Sequence, residues 1–147
     1  RDIATISDHE GTRVLHIGRW PEGVCTGNVT QLGVMDASEI ASVLRQGDFF
    51  FFPSKNEACP NVLFEALACA LPAIYLNSGG NPEICGYGKF GIPFEEKVFG
   101  NGQVHQLLFQ AIEKRDEIRG NIIEDLSRFT FRRCLKEYLT FFESLSV

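Results

Sequence analysis

The chain has 147 residues, 44% of them hydrophobic and 22% charged, with a formal net charge of -5; that suffices for one packed core and is too apolar for disorder. The acidic balance argues against a nucleic-acid partner, because neutralising phosphates needs clustered Lys and Arg. No apolar run approaches the roughly 18 residues that span a bilayer, and Arg1-Asp2-Ile3 has no signal-peptide architecture, so a cytoplasmic setting is expected.

Residues 1–12, with His9, read as a ragged N-terminal segment, and 13–147 as one domain. Arg13 to Gly18 is a short apolar, β-branched run stopped by glycine, which predicts a buried strand with His16 packed inside it. A loop holding Pro21, Gly23 and Gly27 leads to a second such run, Asn28 to Gly33. Ser38 is then placed to cap a helix that carries Ile40, Val43 and Leu44 on one face and ends at Gly47.

Phe49 to Phe52 form an unbroken aromatic run, the pattern of a strand covered on both faces at the centre of a parallel sheet. Pro60 suits the first turn of the following helix, which continues from Val62 to Ala70 and is halted by Pro72. Ala73 to Leu76 predicts another strand, Ser78-Gly79-Gly80 a turn, and Pro82 to Cys85 a short helix whose Glu83 could either cap it or touch ligand. Val104, Leu107, Leu108, Ala111 and Ile112 share one face of a helix reaching about Arg119, and Ile122, Ile123 and Leu126 suggest a further short one. Phe131, Leu135, Tyr138, Leu139, Phe142 and Leu145 stripe a final amphipathic helix, and such a stripe is expected to be core. Alternating strands and helices predict an open, three-layer parallel α/β sheet with ligands beyond the carboxyl ends of its strands.

The five cysteines, Cys25, Cys59, Cys69, Cys85 and Cys134, are odd in number and form no CxxC pair, so reduced and mostly packed thiols are expected, and no zinc site. His105 reads as a surface residue.

The chemistry concentrates between Pro53 and Pro72. Glu57 falls in the loop leaving the aromatic strand and Glu65 about one turn into the next helix, with seven residues between them. The amides near Asn61, Val62 and Leu63 lack intrahelical acceptors and sit at the positive end of the helix dipole, which suits a diphosphate. Carboxylates repel phosphate and accept strongly from hydroxyl groups instead. A diphosphate flanked by polyols describes a nucleotide sugar. Lys55 beside the loop is a minor candidate for the phosphate region.

Taken with Asn28 to Gly33, Gly47-Asp48, Pro53-Ser54, Glu65-Ala66-Leu67-Ala68, Pro72 and Gly79-Gly80-Asn81-Pro82-Glu83-Ile84, this stretch resembles the retaining GT-B glycosyltransferases of family four, in family order over residues 13 to 95. The resemblance implies a Rossmann-like, nucleotide-sugar-binding C-terminal half of a GT-B fold, incomplete at its N-terminal side. It implies that Glu65 holds the ribose hydroxyls and that Glu57, the catalytic candidate, contacts the transferred hexosyl-type sugar. Asn61, Val62 and Leu63 would bind the diphosphate through backbone amides, and Met35 would lie against the base. No metal and no cofactor is implied, since the helix N-terminus and basic groups stabilise the leaving diphosphate. The implied partners are the donor and an N-terminal acceptor-binding domain, through which peripheral membrane contact is open to the full-length protein.

Two departures stand out. The family usually has glycine where this chain has Ala58 and Ala70, positions at which a methyl group disfavours positive φ. The Arg and Lys pair that members carry upstream of the Val14 strand has no counterpart, so this chain alone is expected not to turn over. The alternatives weighed are a catalytically inactive binding or structural module derived from the same fold, and a flavodoxin-like regulatory domain, which leaves the two glutamates unexplained. Gly79-Gly80 reads equally as a plain turn or as a contact to the donor sugar.

Overall fold

The computed structural model describes residues 11–20, 22, 27–98 and 103–145. The expectations for residues 1–10, including His9, and for Pro21, Gly23 and Cys25 fall outside these.

The strands are β1 (Val14–Ile17), β2 (Val29–Gly33), β3 (Phe50–Phe52), β4 (Ala73–Leu76) and β5 (Gly91–Phe94). Every pairing is parallel: β1 with β2 in one sheet, and β3-β4-β5 in that order in a second. The α/β architecture with parallel strands is therefore as expected, divided between two sheets. The centre of the larger sheet is β4, and not the aromatic β3 as its composition had suggested. All four residues of β4 are buried, whereas Phe50 and Phe51 remain half-buried because, among the described residues, β3 pairs with β4 alone, Phe50 opposite Ala73 and Phe52 opposite Tyr75.

The helices are α1 (Ala37–Gln46), α2 (Asn61–Ala68), α3 (Asn81–Ile84), α4 (Val104–Glu124) and α5 (Phe131–Leu145). Asp36, and not Ser38, caps α1: its carboxylate accepts from the Ser38 and Glu39 amides at 2.8 and 2.9 Å, and Glu39 returns a bond to the Asp36 amide at 2.8 Å. Ser38 spends its hydroxyl on the same carboxylate at 2.7 Å. A carboxylate with these donors outcompetes a hydroxyl for the first-turn amides, and they hold Asp36 below the usual carboxylate range, chiefly the backbone bond at Glu39.

Leu63, Ala66 and Leu67 are fully buried on one side of α2, the i, i+3, i+4 spacing that turns a single helical stripe toward a core. Leu63 and Leu67 join Phe52, Ile74, Ile84, Phe90 and Ile92 in the main apolar cluster; each such side chain contributes roughly 1.5–3 kcal/mol relative to exposure. Leu44 of α1 packs with Ala66 and Leu71 in a smaller cluster. Phe90, itself buried, meets Phe129 edge to face at 5.2 Å between centroids.

Two expectations about the C-terminal helices change. The helix from Val104 does not stop near Arg119 but runs on to Glu124, absorbing the short helix expected around Ile122; Ile118 and Ile122 are both buried at a spacing of four. The stripe on α5 is not core: every residue of α5 is exposed, with Phe131 at 80% and Phe142 at 58%. Cys134 is exposed with it. Helical periodicity fixes which residues share a face, but burial requires a surface to meet that face. No described helix is long and apolar enough to cross a membrane.

Candidate functional site

Chain leaving the carboxyl end of β3 runs through Pro53 to Pro60 and enters α2 at Asn61. Asn56 turns it at φ +59°, in the left-handed region that Asn tolerates better than most residues. Glu57 and Glu65 are both exposed, and neither carboxylate has a hydrogen-bond or ion-pair partner among the described residues. The N-cap of α2 is Pro60, which supplies no side-chain acceptor. The Leu63 amide donates to the Pro60 carbonyl at 3.2 Å, while the amides of Asn61 and Val62 find no acceptor among the described residues. Of the three amides singled out in the sequence, two are thus unsatisfied and one is engaged in a tight first turn. The Leu63 side chain is fully buried and the Val62 side chain is exposed.

The carboxyl end of β4 supplies the floor of this loop. The Gly80 amide donates to the Glu57 carbonyl at 2.8 Å. A Cβ on Gly79 would stand 2.2 Å from the Glu57 oxygen, and one on Gly80 would stand 2.1 Å from the Ala58 oxygen, separations no side chain tolerates. The glycine pair is therefore where two backbones touch, a reading weighed neither as plain turn nor as sugar contact. Asn56 donates its amide to Ser78 Oγ at 3.1 Å, and that hydroxyl donates to Asn56 Oδ1 at 3.3 Å. The sequence marks Ser78 only as part of the Gly-Gly turn and Asn81, whose contacts appear below, only within the Gly79 to Ile84 stretch that carries the family resemblance; it gives neither a role in the site.

Lys55 pairs with Glu96, its Nζ lying 2.7 Å from Glu96 Oε2 in an exposed ion pair just past β5. Met35 is half-buried in the connection from β2 to the cap of α1, beyond the carboxyl end of a strand of the smaller sheet. His16 is half-buried and meets Trp20 edge to face at 4.6 Å. Glu83 is exposed, and α3 has no side-chain cap, so the capping role raised for it is absent. Two shallow depressions lie on α5 and α4, lined by residues such as Arg133 and Phe141 or His105 and Phe109; neither includes a residue of the 53–65 stretch. Among the described residues no three His, Cys, Asp or Glu side chains converge as a metal ion would require.

What the arrangement offers chemically is a pair of backbone donors at a helix opening, with one free acid in the preceding loop and another one turn inside the helix. A family model described as glycosyl transferases group 1 matches residues 3–114. An uncharacterized glycosyltransferase of Methanocaldococcus jannaschii is 29% identical over 121 residues, covering 81% of this chain and 34% of the relative. A probable sucrose-phosphate synthase of Thermosipho melanesiensis is 29% identical over 112 residues, covering 72% of this chain and 24% of the relative. The chain spans 34% and 24% of the length of these two curated relatives.

Proposed function

Because the chain belongs to the group 1 glycosyl transferases, we propose that it forms the donor-binding domain of a retaining glycosyltransferase of family four, moving a hexosyl-type sugar from a nucleoside diphosphate to a glycan, lipid or other acceptor. The observation that carries this reading is the unsatisfied Asn61 and Val62 amides opening α2 between the two unpartnered acids, Glu57 and Glu65. In the proposed complex those amides meet the diphosphate, Glu65 accepts from the ribose hydroxyls, Glu57 meets the transferred sugar, and Met35 lies against the base.

Negative charge grows on the departing diphosphate as the glycosidic bond breaks. Amides already oriented toward it cost no reorganisation at that moment, so the helix opening stabilises the leaving group without a metal ion. The acceptor oxygen attacks from the face the diphosphate leaves, and a leaving phosphate oxygen takes its proton, which retains the anomeric configuration. Turnover belongs to the protein that also carries an acceptor-binding domain, and any membrane contact is made through that domain. The proposed setting is cytoplasmic.

The rival reading, a module without activity, leaned on Ala58 and Ala70. Ala70 keeps a φ of +56°, the conformation its glycine counterpart would take, and Ala58 is not among the positive-φ residues. Neither position supports loss of the loop.

The test is calorimetric titration of UDP, GDP and ADP, free and glucose-linked, into the full-length protein and two variants. Glu65→Ala should weaken nucleoside diphosphate binding by about 1.5–3 kcal/mol, roughly ten- to hundredfold, as expected for loss of charge-assisted bonds. Glu57→Ala should leave that affinity nearly unchanged and depress turnover. Unaltered affinity in Glu65→Ala would overturn the assignment of the two acids.

A further inference from the structure

Asn81, the first residue of α3, is the one fully buried polar residue among those described. Its Nδ2 donates to the Ser54 carbonyl and to the Leu76 carbonyl, each at 3.1 Å. Leu76 is the last residue of β4, and Ser54 lies two residues beyond the end of β3. A single carboxamide therefore ties together the exits of two adjacent strands. The two carbonyl acceptors also fix which way the amide faces, because the reverse orientation would set oxygen against oxygen. Its Oδ1 is buried and accepts no hydrogen bond among the described residues. A buried acceptor left unmet costs free energy; an apolar side chain would remove that cost but would also take the donor from the Ser54 and Leu76 carbonyls, so Asn81 bears the unmet Oδ1 while holding the two strand exits together.

Three further bonds act on the same segment. The Asn56 amide is held by Ser78 Oγ, the Ser78 hydroxyl by Asn56 Oδ1, and the Glu57 carbonyl by the Gly80 amide. Residues 54, 56 and 57 are thus each anchored to the 76–81 stretch, and the exposed Glu57 side chain projects from a backbone that has little freedom. No bond in this set reaches Glu65 or the opening of α2.

We propose that Asn81, seconded by Ser78, is the positioning residue of the site, holding the Glu57 loop against the end of β4 so that the Glu57 carboxylate keeps its place relative to α2. The inference rests on the donor-binding reading given above. It separates two functions within one loop: placement of the sugar end depends on the clamp, and grip on the nucleoside diphosphate does not.

The experiment uses the full-length protein with Asn81→Ser and, as a milder change outside the core, Ser78→Ala. Amide hydrogen exchange without ligand should show residues 53–59 exchanging about tenfold faster or more in both variants, with β4 and α2 close to wild type. Affinity for free UDP, GDP or ADP, whichever the wild type binds, should stay within about twofold, while release of that nucleoside diphosphate from its glucose conjugate slows by about tenfold or more, since small misplacements of a reacting group are costly. Exchange that is unchanged, or raised uniformly across the chain, overturns the clamp, as does nucleotide affinity falling in step with turnover. A wild type that binds none of the three diphosphates overturns instead the reading on which the inference rests. If Asn81→Ser does not fold, Ser78→Ala carries both measurements alone.

Discussion

Ala70 stands at φ +56° in the turn that ends α2, donating its amide to the Leu67 carbonyl at 2.9 Å while Leu71 donates to Ala66 at 3.0 Å. An L side chain in that region costs about 1–2 kcal/mol, which is why helices commonly close on glycine. The structure keeps the turn because Leu71 beyond it, 3% exposed, joins Leu44 and Ala66 in the smaller core cluster, and moving the turn would unpack them. Ala70→Gly should therefore stabilise the protein by about 0.5–1 kcal/mol, part of the relief being offset by the freer unfolded chain and the lost methyl. A thermal melt should rise by about 2–4 °C; an unchanged or lower midpoint would show that the turn is not strained. From sequence alone the alanine could be read only as a departure. Whether the backbone had moved to accommodate it was a matter of tertiary contacts.

At the scale of elements, α4 shows a propensity losing to packing. The helix end expected near Arg119 falls just before Gly120, and a glycine within a helix costs about 1 kcal/mol relative to alanine. Ile118 and Ile122 nevertheless sit one turn apart, both buried, on either side of it, and burying a single isoleucine offsets that cost with some to spare. Gly120 itself is exposed and has no positive φ, and a Cβ added to it would meet nothing within 4 Å. Gly120→Ala should then stabilise the protein by about 1 kcal/mol, read as a shift in the urea midpoint at constant slope. A destabilised variant would mean that the glycine serves a contact outside the described residues. The apolar stripe on α5 is the opposite case: its period was legible from residues 131–145, its exposure was not.

For the molecule as a whole, Cys85 serves as a reporter. It is fully buried, and burial pushes its thiol up to about 12. Alkylation requires the thiolate and access to it, and Cys85 has neither in the folded state. Cys59 and Cys134 are exposed. Iodoacetamide at pH 8, with the modified sites mapped by mass spectrometry, should label Cys59 and Cys134 in the native protein, and Cys85 only as fast as the core opens. Labelling of Cys85 at the rate of Cys59 would show that the cluster around Phe90 and Ile84 is not a single cooperative core. The mostly packed thiols expected from the sequence hold for Cys85 and in part for Cys69, and fail for Cys59 and Cys134.

The residue order was enough to reveal the alternation of strand and helix, the parallel class of the sheets, membership of the group 1 glycosyl transferases, and the loop and following helix in which Glu57 and Glu65 stand. Each of these is written in short-range terms: a period of two or of 3.6, a proline or glycine at a boundary, or a spacing of seven residues. Tertiary structure alone decided that β4 and not β3 is central, that α5 keeps its aromatic stripe exposed, and that Asn81 reaches back 27 positions to Ser54. Those outcomes depend on which surfaces meet, and contacts between residues far apart in the chain leave no period in the sequence from which to read them.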